Sequence, residues 1–496
     1  MRSLATLPLF VIAVFGAGCS LDSLPLAPAD DPSCPEARRG TSGECCPPWT
    51  IAAEGGCAPR TWALPDEGSG VGEAGARWIN VSVDGNGKPG AAWIEGGVGT
   101  SRVAVAEAAE GGFTLHYPAA ALPGEGAQSD VALGPGGEAV ATWKQQFPGG
   151  EARIFVAERE PDGTWRDPVS SDDTVSFLPT AFEPRARISP GGERLVVWNQ
   201  WMSTGYGVQL ATRPAGGDWH LPADADDTLS QHTLFANAPK IVVNARGDAL
   251  IAWYQSLGAS LLAWYSERHG ADGTFSRPAP GDHLSLADTP VDSHPFGNPA
   301  PALSETGEAA VAWAQENGKG SVLVYLATRT SEGVWTRPVT LDDALSPRLG
   351  YARCPQIAFT PAGELFVVWY QDTGGGDRVL AAHRTAAGEW VEPGREPTVL
   401  STPGVEASFP ALAVGPGGTV LAVWTERQGD TWVVAARRRV ESGTTWGPVE
   451  ILSVPNGGLA AQPVAAIGGP DDSVVVGWIQ GAGKGDRAYF ATMSGE

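Results

Sequence analysis

The stretch Gly363-Glu364-Leu365-Phe366-Val367-Val368-Trp369-Tyr370-Gln371 decides how the rest of the chain is read. It returns as Gly137-Glu138-Ala139-Val140-Ala141-Thr142-Trp143-Lys144-Gln145 and as Gly247-Asp248-Ala249-Leu250-Ile251-Ala252-Trp253-Tyr254-Gln255. Aligned on the tryptophan, the copies fall at Trp93, Trp143, Trp198, Trp253, Trp313, Trp369, Trp424 and Trp478, spaced by 50 to 60 residues. A self-similar period of this length marks a repeat architecture. Six residues before each tryptophan stands a glycine (Gly87, Gly137, Gly192, Gly247, Gly307, Gly363, Gly418), with Asp472 the one departure. A short apolar run precedes each glycine, so each copy begins as two strands joined by a tight turn that needs positive φ.

A third apolar run follows each tryptophan, as in Val322 to Ala327. A second glycine-bearing turn then leads to another aromatic: Phe113, Trp165, Trp219, Phe275, Trp335, Trp390 and Trp446. A proline commonly follows three places on (Pro168, Pro222, Pro278, Pro338, Pro393) and closes that strand, because proline cannot donate to a ladder. Four short antiparallel strands per repeat make one blade of a β-propeller.

The ends of the chain count the blades. Trp62 with Pro65 copies the fourth-strand pattern ahead of the first full repeat, whereas the last repeat stops after the third strand, Arg487 to Thr492. The expectation is an all-β, eight-bladed β-propeller of four-stranded antiparallel blades, covering residues 59–496. An N-terminal strand completes the last blade, which removes the open edges that invite pairing with other chains. Because each blade lies between two others, strands such as Leu195-Val196-Val197-Trp198 are apolar on both faces. The tryptophans are read as the material between blades. The Gln or Glu two places after each (Glu95, Gln145, Gln200, Gln255, Gln315, Gln371, Glu426, Gln480) is read as satisfying backbone groups at strand ends.

Ahead of the ring, Met1-Arg2-Ser3, the apolar run Leu4 to Phe15 and then Gly16-Ala17-Gly18-Cys19 read as an export signal. The small residues before Cys19 resemble a bacterial lipobox, with Gly16 where leucine is usual. That resemblance implies a lipoprotein lipidated at Cys19 (segment 1–19), anchored at the cell envelope through lipid alone, at the outer membrane. A plain signal peptide cut nearby is the alternative. Residues 20–33 read as a flexible tether. Residues 34–58 form a small cysteine island holding Cys34, Cys45, Cys46 and Cys57. In an exported chain this suggests two disulfides, either Cys34–Cys45 with Cys46–Cys57 or Cys34–Cys46 with Cys45–Cys57. Zinc is disfavoured because no histidine lies nearby. Cys354 is left over as a buried free thiol.

The turns between third and fourth strands read Pro161-Asp162-Gly163-Thr164-Trp165, Ala271-Asp272-Gly273-Thr274-Phe275 and Ser331-Glu332-Gly333-Val334-Trp335. They resemble degenerate Asp-box repeats of sialidase-type propellers. The resemblance covers the ring and implies the fold. Sialidase activity would further require three arginines from different blades to clamp a carboxylate, a Tyr–Glu nucleophile pair and an acid aspartate. Channel-lining first strands offer arginine only as Arg185 and Arg187, with Arg353 just ahead of a sixth, and Lys240; the Phe/Tyr-Arg-Ile-Pro signature is missing.

Function is therefore sought where the chain departs from its own repeat. The connections into first strands near blades three to six, on one face, carry His232, Phe235, His294, Tyr351 and Arg353, and the loop after the second strand of blade three carries Trp201 and Tyr206. Loops on a rigid scaffold are where binding residues reside. The opposite face, with its short glycine turns, is expected to be inert. Aspartate pairs such as Asp172-Asp173 and Asp342-Asp343 lack calcium-loop spacing and are read as turn chemistry. A formal net charge of −23 argues against nucleic acid or an anionic membrane surface as partner. No cofactor or metal site emerges. The reading is a monomeric binding or scaffolding propeller for a protein or glycan, with a sialidase-like glycoside hydrolase as the alternative.

Overall fold

In a computed structural model the described residues are 46, 49–53, 56–203, 205–231, 235–258, 260–271, 273–292, 299–372, 374–391, 397–439, 445–481 and 485–493. Eight antiparallel sheets follow one another along the chain as an eight-bladed β-propeller. Blade 1 comprises Arg77–Val83, Pro89–Glu95, Arg102–Ala109 and Gly112–His116, and later blades repeat that order, with four-stranded sheets in blades 2, 5, 6 and 7 and three-stranded sheets in blades 3, 4 and 8 among the described residues. The first two strands join at the repeated glycine, whose φ lies between +79° and +92° from Gly87 to Gly418. Asp472, the departure, adopts the same left-handed turn with φ +52°. Its carboxylate recovers the cost by accepting hydrogen bonds from Gly417 N at 2.7 Å and Thr419 Oγ1 at 2.9 Å.

The tryptophan of each second strand is wholly buried and faces the blade before it. Trp198 of blade 3 packs on Val140 and Ile154 of blade 2, and Trp253 of blade 4 on Val197 and Val208 of blade 3. Trp93 of blade 1 meets Val475 and Phe490 of blade 8, so the same contact closes the ring. Burying an aromatic side chain is worth about 1.5–3 kcal/mol, and one such contact per interface accounts for the period of the sequence. A second, ionic girdle runs through the arginine at the end of third strands. Arg159 pairs with Glu107, Arg213 with Glu158 at 2.7 Å, Arg268 with Glu193 at 2.7 Å, Arg329 with Glu267 at 3.0 Å and Arg439 with Glu364 at 2.7 Å, each from one blade to the preceding one.

Fourth strands are interrupted rather than closed at the proline. In blade 6 Trp390 bridges Arg384, the chain leaves, and Thr398–Val399 then pairs with Ala381 and Leu380 farther along the same third strand. The returning piece carries a Leu/Val-Ser pair whose hydroxyl accepts a third-strand N–H: Ser176 from Ile154, Ser230 from Val208, Ser285 from Ala263, Ser346 from Val324, Ser401 from Val379 and Ser453 from Val434. The chain's own start supplies the same two-part strand for blade 8, through bridges Ala63↔Thr492 and Val71↔Ala488. Arg60 pins that segment by donating to the carbonyls of Asp471, Asp472 and Met493, each at 2.8 Å. Just ahead of it, strands Thr50–Ala53 and Gly56–Pro59 form a hairpin. The Cys46–Cys57 disulfide, one pair of the first of the two expected pairings, joins this hairpin to the residues before it. Cys19, Cys34 and Cys45 lie outside the described residues.

Candidate functional site

The polar residue two places after each tryptophan is structural. In all eight blades its side chain accepts from the indole Nε1, at 2.9 to 3.3 Å. The amide nitrogen of several then donates to carbonyls of the incoming connection, as Gln315 does to Leu286 and Thr289 and Gln371 to Pro347 and Leu349. The aspartates of the outer loops likewise serve turns. Asp173 accepts from Val169 N and Ser170 N, and Asp343 from Val339 N and Thr340 N.

The residues expected to bind fall into two groups. Trp201, Tyr206 and Phe235 come together: Tyr206 lies 4.9 Å from Trp201 and 5.2 Å from Phe235 between ring centroids, and Phe182 joins at 5.1 Å. Tyr351 and Arg353 form a separate pair at blade 6, with the guanidinium 5.3 Å from the ring centroid and ion-paired to Asp292 at 3.3 Å. His232 and His294 lie outside the described residues.

A feature the repeat reading missed stands at the channel itself. Each described first strand, except in blade 5, carries a β-bulge near its start. The bulged residues Trp78, Gln128, Glu183, Ala238, Cys354, Phe409 and Gln462 all hold left-handed backbone, with φ from +51° to +56°. Non-glycine residues pay roughly 1–2 kcal/mol for that conformation, and such outliers cluster at binding sites. All seven line one cavity of about 590 Å³ on the axis, a volume within the ordinary range of ligand pockets. The bulged residues brace one another across blades: Gln462 Oε1 accepts from Trp78 N at 2.9 Å, and Gln128 Oε1 from Glu183 N at 3.0 Å. The sequence signal was an X-Pro pair upstream of the tryptophan (Glu183-Pro184, Ala238-Pro239, Cys354-Pro355, Phe409-Pro410, Gln462-Pro463), because a bulge leaves a nitrogen unpaired and admits proline.

The lining is asymmetric. Trp78 and Phe409 expose their rings, and Gln128, Gln356, Gln462 and Asn80 add amides. Arg185 and Lys240 are its cations and Glu183 its one carboxylate among the described residues. Glu183 Oε2 accepts from Asn199 Nδ2 at 3.0 Å, and Asn199 also reaches Asn237. Burial, with repulsion from Arg185 and Arg187, lowers Lys240 to about 8. Burial pushes the free, buried Cys354 thiol up to about 12 and the Tyr254 phenol to about 12, so neither is an activated nucleophile. Three arginines do not meet among the described lining residues: Arg353 is held by Asp292, and Arg187 approaches Asp130 at 3.5 Å. A second recess of about 360 Å³ lies between the outer strands of blades 5 and 6, where Asp343 is already engaged in its turn.

No protein-family model matches the chain, and no curated protein matches it. Among solved structures it is similar to a polysaccharide lyase (9% identity, TM-score 0.45, over 72% of this chain and 88% of that one). It is also similar to an alpha-L-arabinanase of Penicillium chrysogenum complexed with arabinobiose (12%, 0.38, over 75% and 93%) and to a Hadza microbial sialidase (13%, 0.37, over 69% and 73%).

Proposed function

We propose that this chain is a binding propeller that holds a carbohydrate at the mouth of its central channel without transforming it. The observation that carries this reading is the cavity ringed by bulged, left-handed residues, where two exposed aromatic rings alternate with side-chain amides. Flat aromatic faces take the C–H face of a sugar ring, and amides match hydroxyls as donor and acceptor together. Glycoside hydrolysis ordinarily employs two carboxylates about the scissile bond, and the described lining supplies Glu183 alone, already engaged by Asn199. The rim aromatics Trp201, Tyr206 and Phe235 extend apolar surface beside blade 3 for the same ligand.

The test is a glycan-array screen followed by calorimetry on the strongest binder. Trp78→Ala and Phe409→Ala should each weaken it by about 1–3 kcal/mol, while Thr164→Ala, in a turn between third and fourth strands, should not. Unchanged affinity in the first two variants, or release of cleaved product, would refute the reading.

The export signal and Cys19 support a lipid-anchored location at the cell envelope, and the Cys46–Cys57 disulfide fits an oxidising compartment. Cys19→Ala should then move the protein from the membrane to the soluble fraction; unchanged membrane association would remove the anchor.

A further inference from the structure

We infer that the cavity takes an acidic ligand, with one oxyanion group seated between Arg185 of blade 3 and Lys240 of blade 4. The inference rests on the carbohydrate reading above and narrows it to sugars bearing a carboxylate or a sulfate ester. In a chain of formal net charge −23, cations are outnumbered by acids. Arginines of the girdle are matched to glutamates across blade interfaces. Arg185 and Lys240 are not. Neither makes an ion pair with an acid among the described residues, although both line the same enclosed space.

Arg185 spends one Nη1 donor on the carbonyl of Pro184 at 2.9 Å. Among the described lining residues Glu183 is the one carboxylate, hydrogen-bonded by Asn199, so a single negative charge faces the two cations. Two recessed cations that share a single carboxylate remain under-compensated, which costs free energy in the ligand-free protein. The depressed basicity of Lys240 records that cost. An anion arriving on the pair relieves it, and a guanidinium beside an ammonium offers several charge-assisted donors to one oxyanion. Phe409 and Trp78, lining the same cavity, leave room for the uncharged body of the sugar.

Three probes of equal length separate the cases: a galacturonate oligosaccharide (carboxylated), a sulfated oligosaccharide and a neutral maltooligosaccharide. Wild-type protein should bind at least one acidic probe about tenfold or more tighter than the neutral one. Lys240→Met and Arg185→Gln should each reduce acidic binding by roughly 10- to 100-fold, the range for hydrogen bonds to charged groups, and reduce neutral binding far less. Whichever acidic probe wins identifies the acid group. Lys240→Met should also melt at or above the wild-type temperature, since it removes an uncompensated charge. A lower melting temperature would mean that the lysine is needed by the fold, and would overturn the inference. Equal affinity for neutral and acidic probes, insensitive to both variants, would overturn it while leaving the carbohydrate reading intact. Binding of inorganic sulfate that is lost in Lys240→Met, with no oligosaccharide bound, would support the anion seat and refute the carbohydrate reading.

Discussion

At the scale of single residues, two roles were separable only by looking at backbone angle and partner together. The residue two after each tryptophan is polar in every blade, and its regularity reflects a job done eight times: it accepts from the indole, and in several blades it also ties down the incoming loop. The bulged residue varies in chemistry around the ring, with only Gln occurring twice among the seven, yet the backbone there is uniform. Uniform strain with varied side chains is what a scaffold presenting a ligand site would show. Ala238, with φ +56°, offers the cleanest test. Glycine pays no penalty for a left-handed backbone, so Ala238→Gly should be more stable than Ala252→Gly, in the regular part of the neighbouring strand, by about 1–2 kcal/mol. Chemical denaturation of the two variants measures this difference, and equal losses would show that the bulge is unstrained.

At the scale of elements, the fourth strand was the least legible. Proline three places after the aromatic ends the first hydrogen-bonded piece, as expected, but the chain comes back to the same third strand through its Leu/Val-Ser pair. That return depends on where the loop folds, which composition does not record. The N-terminal segment is the same device taken from the other end of the chain. Removing residues through Val71 should expose the third strand of blade 8, lower the melting temperature sharply and favour aggregation. A shorter deletion ending before Arg60 retains the three carbonyl bonds of that side chain and should lose far less. Equal melting of full-length protein and the longer deletion would refute closure by this strand.

At the scale of the whole molecule, the ring is held by apolar contact between blades and by the ionic girdle. Arg439 beside Glu364, and Arg194 and Arg213 beside Glu160, more than offset the burial of these two carboxyls and hold them below the usual glutamate value. Carboxyls depressed in the folded state stabilise it above the unfolded value near 4.5, and that contribution is lost as pH falls through their folded values. His383, stacked on Phe366 and bonded to Glu364 at 3.2 Å, is lowered by burial. It therefore adds a milder loss beginning below its unfolded value of 6.5. Melting temperature should accordingly slip gently below pH 6.5 and steeply below about 4.5, and Glu364→Gln should flatten the steep part while lowering stability at neutral pH. A melting temperature independent of pH between 7 and 3 would show that the girdle adds nothing.

The sequence by itself determined the blade count, the strand order and the two-ended closure, because these follow from local periodicity and turn chemistry written into every copy. It also marked the tryptophans as interblade material, since a side chain that must be buried eight times recurs at one spacing. Tertiary structure alone decided which side chains meet on the axis. The cavity gathers residues from seven blades, some of them nearly 400 positions apart, at a bulge whose only local trace, in five of the seven, is a proline after a residue of any kind. Convergence around a closed ring depends on the angle between blades and on strand register. Those are set by packing summed over the whole circle, and no single repeat carries that information.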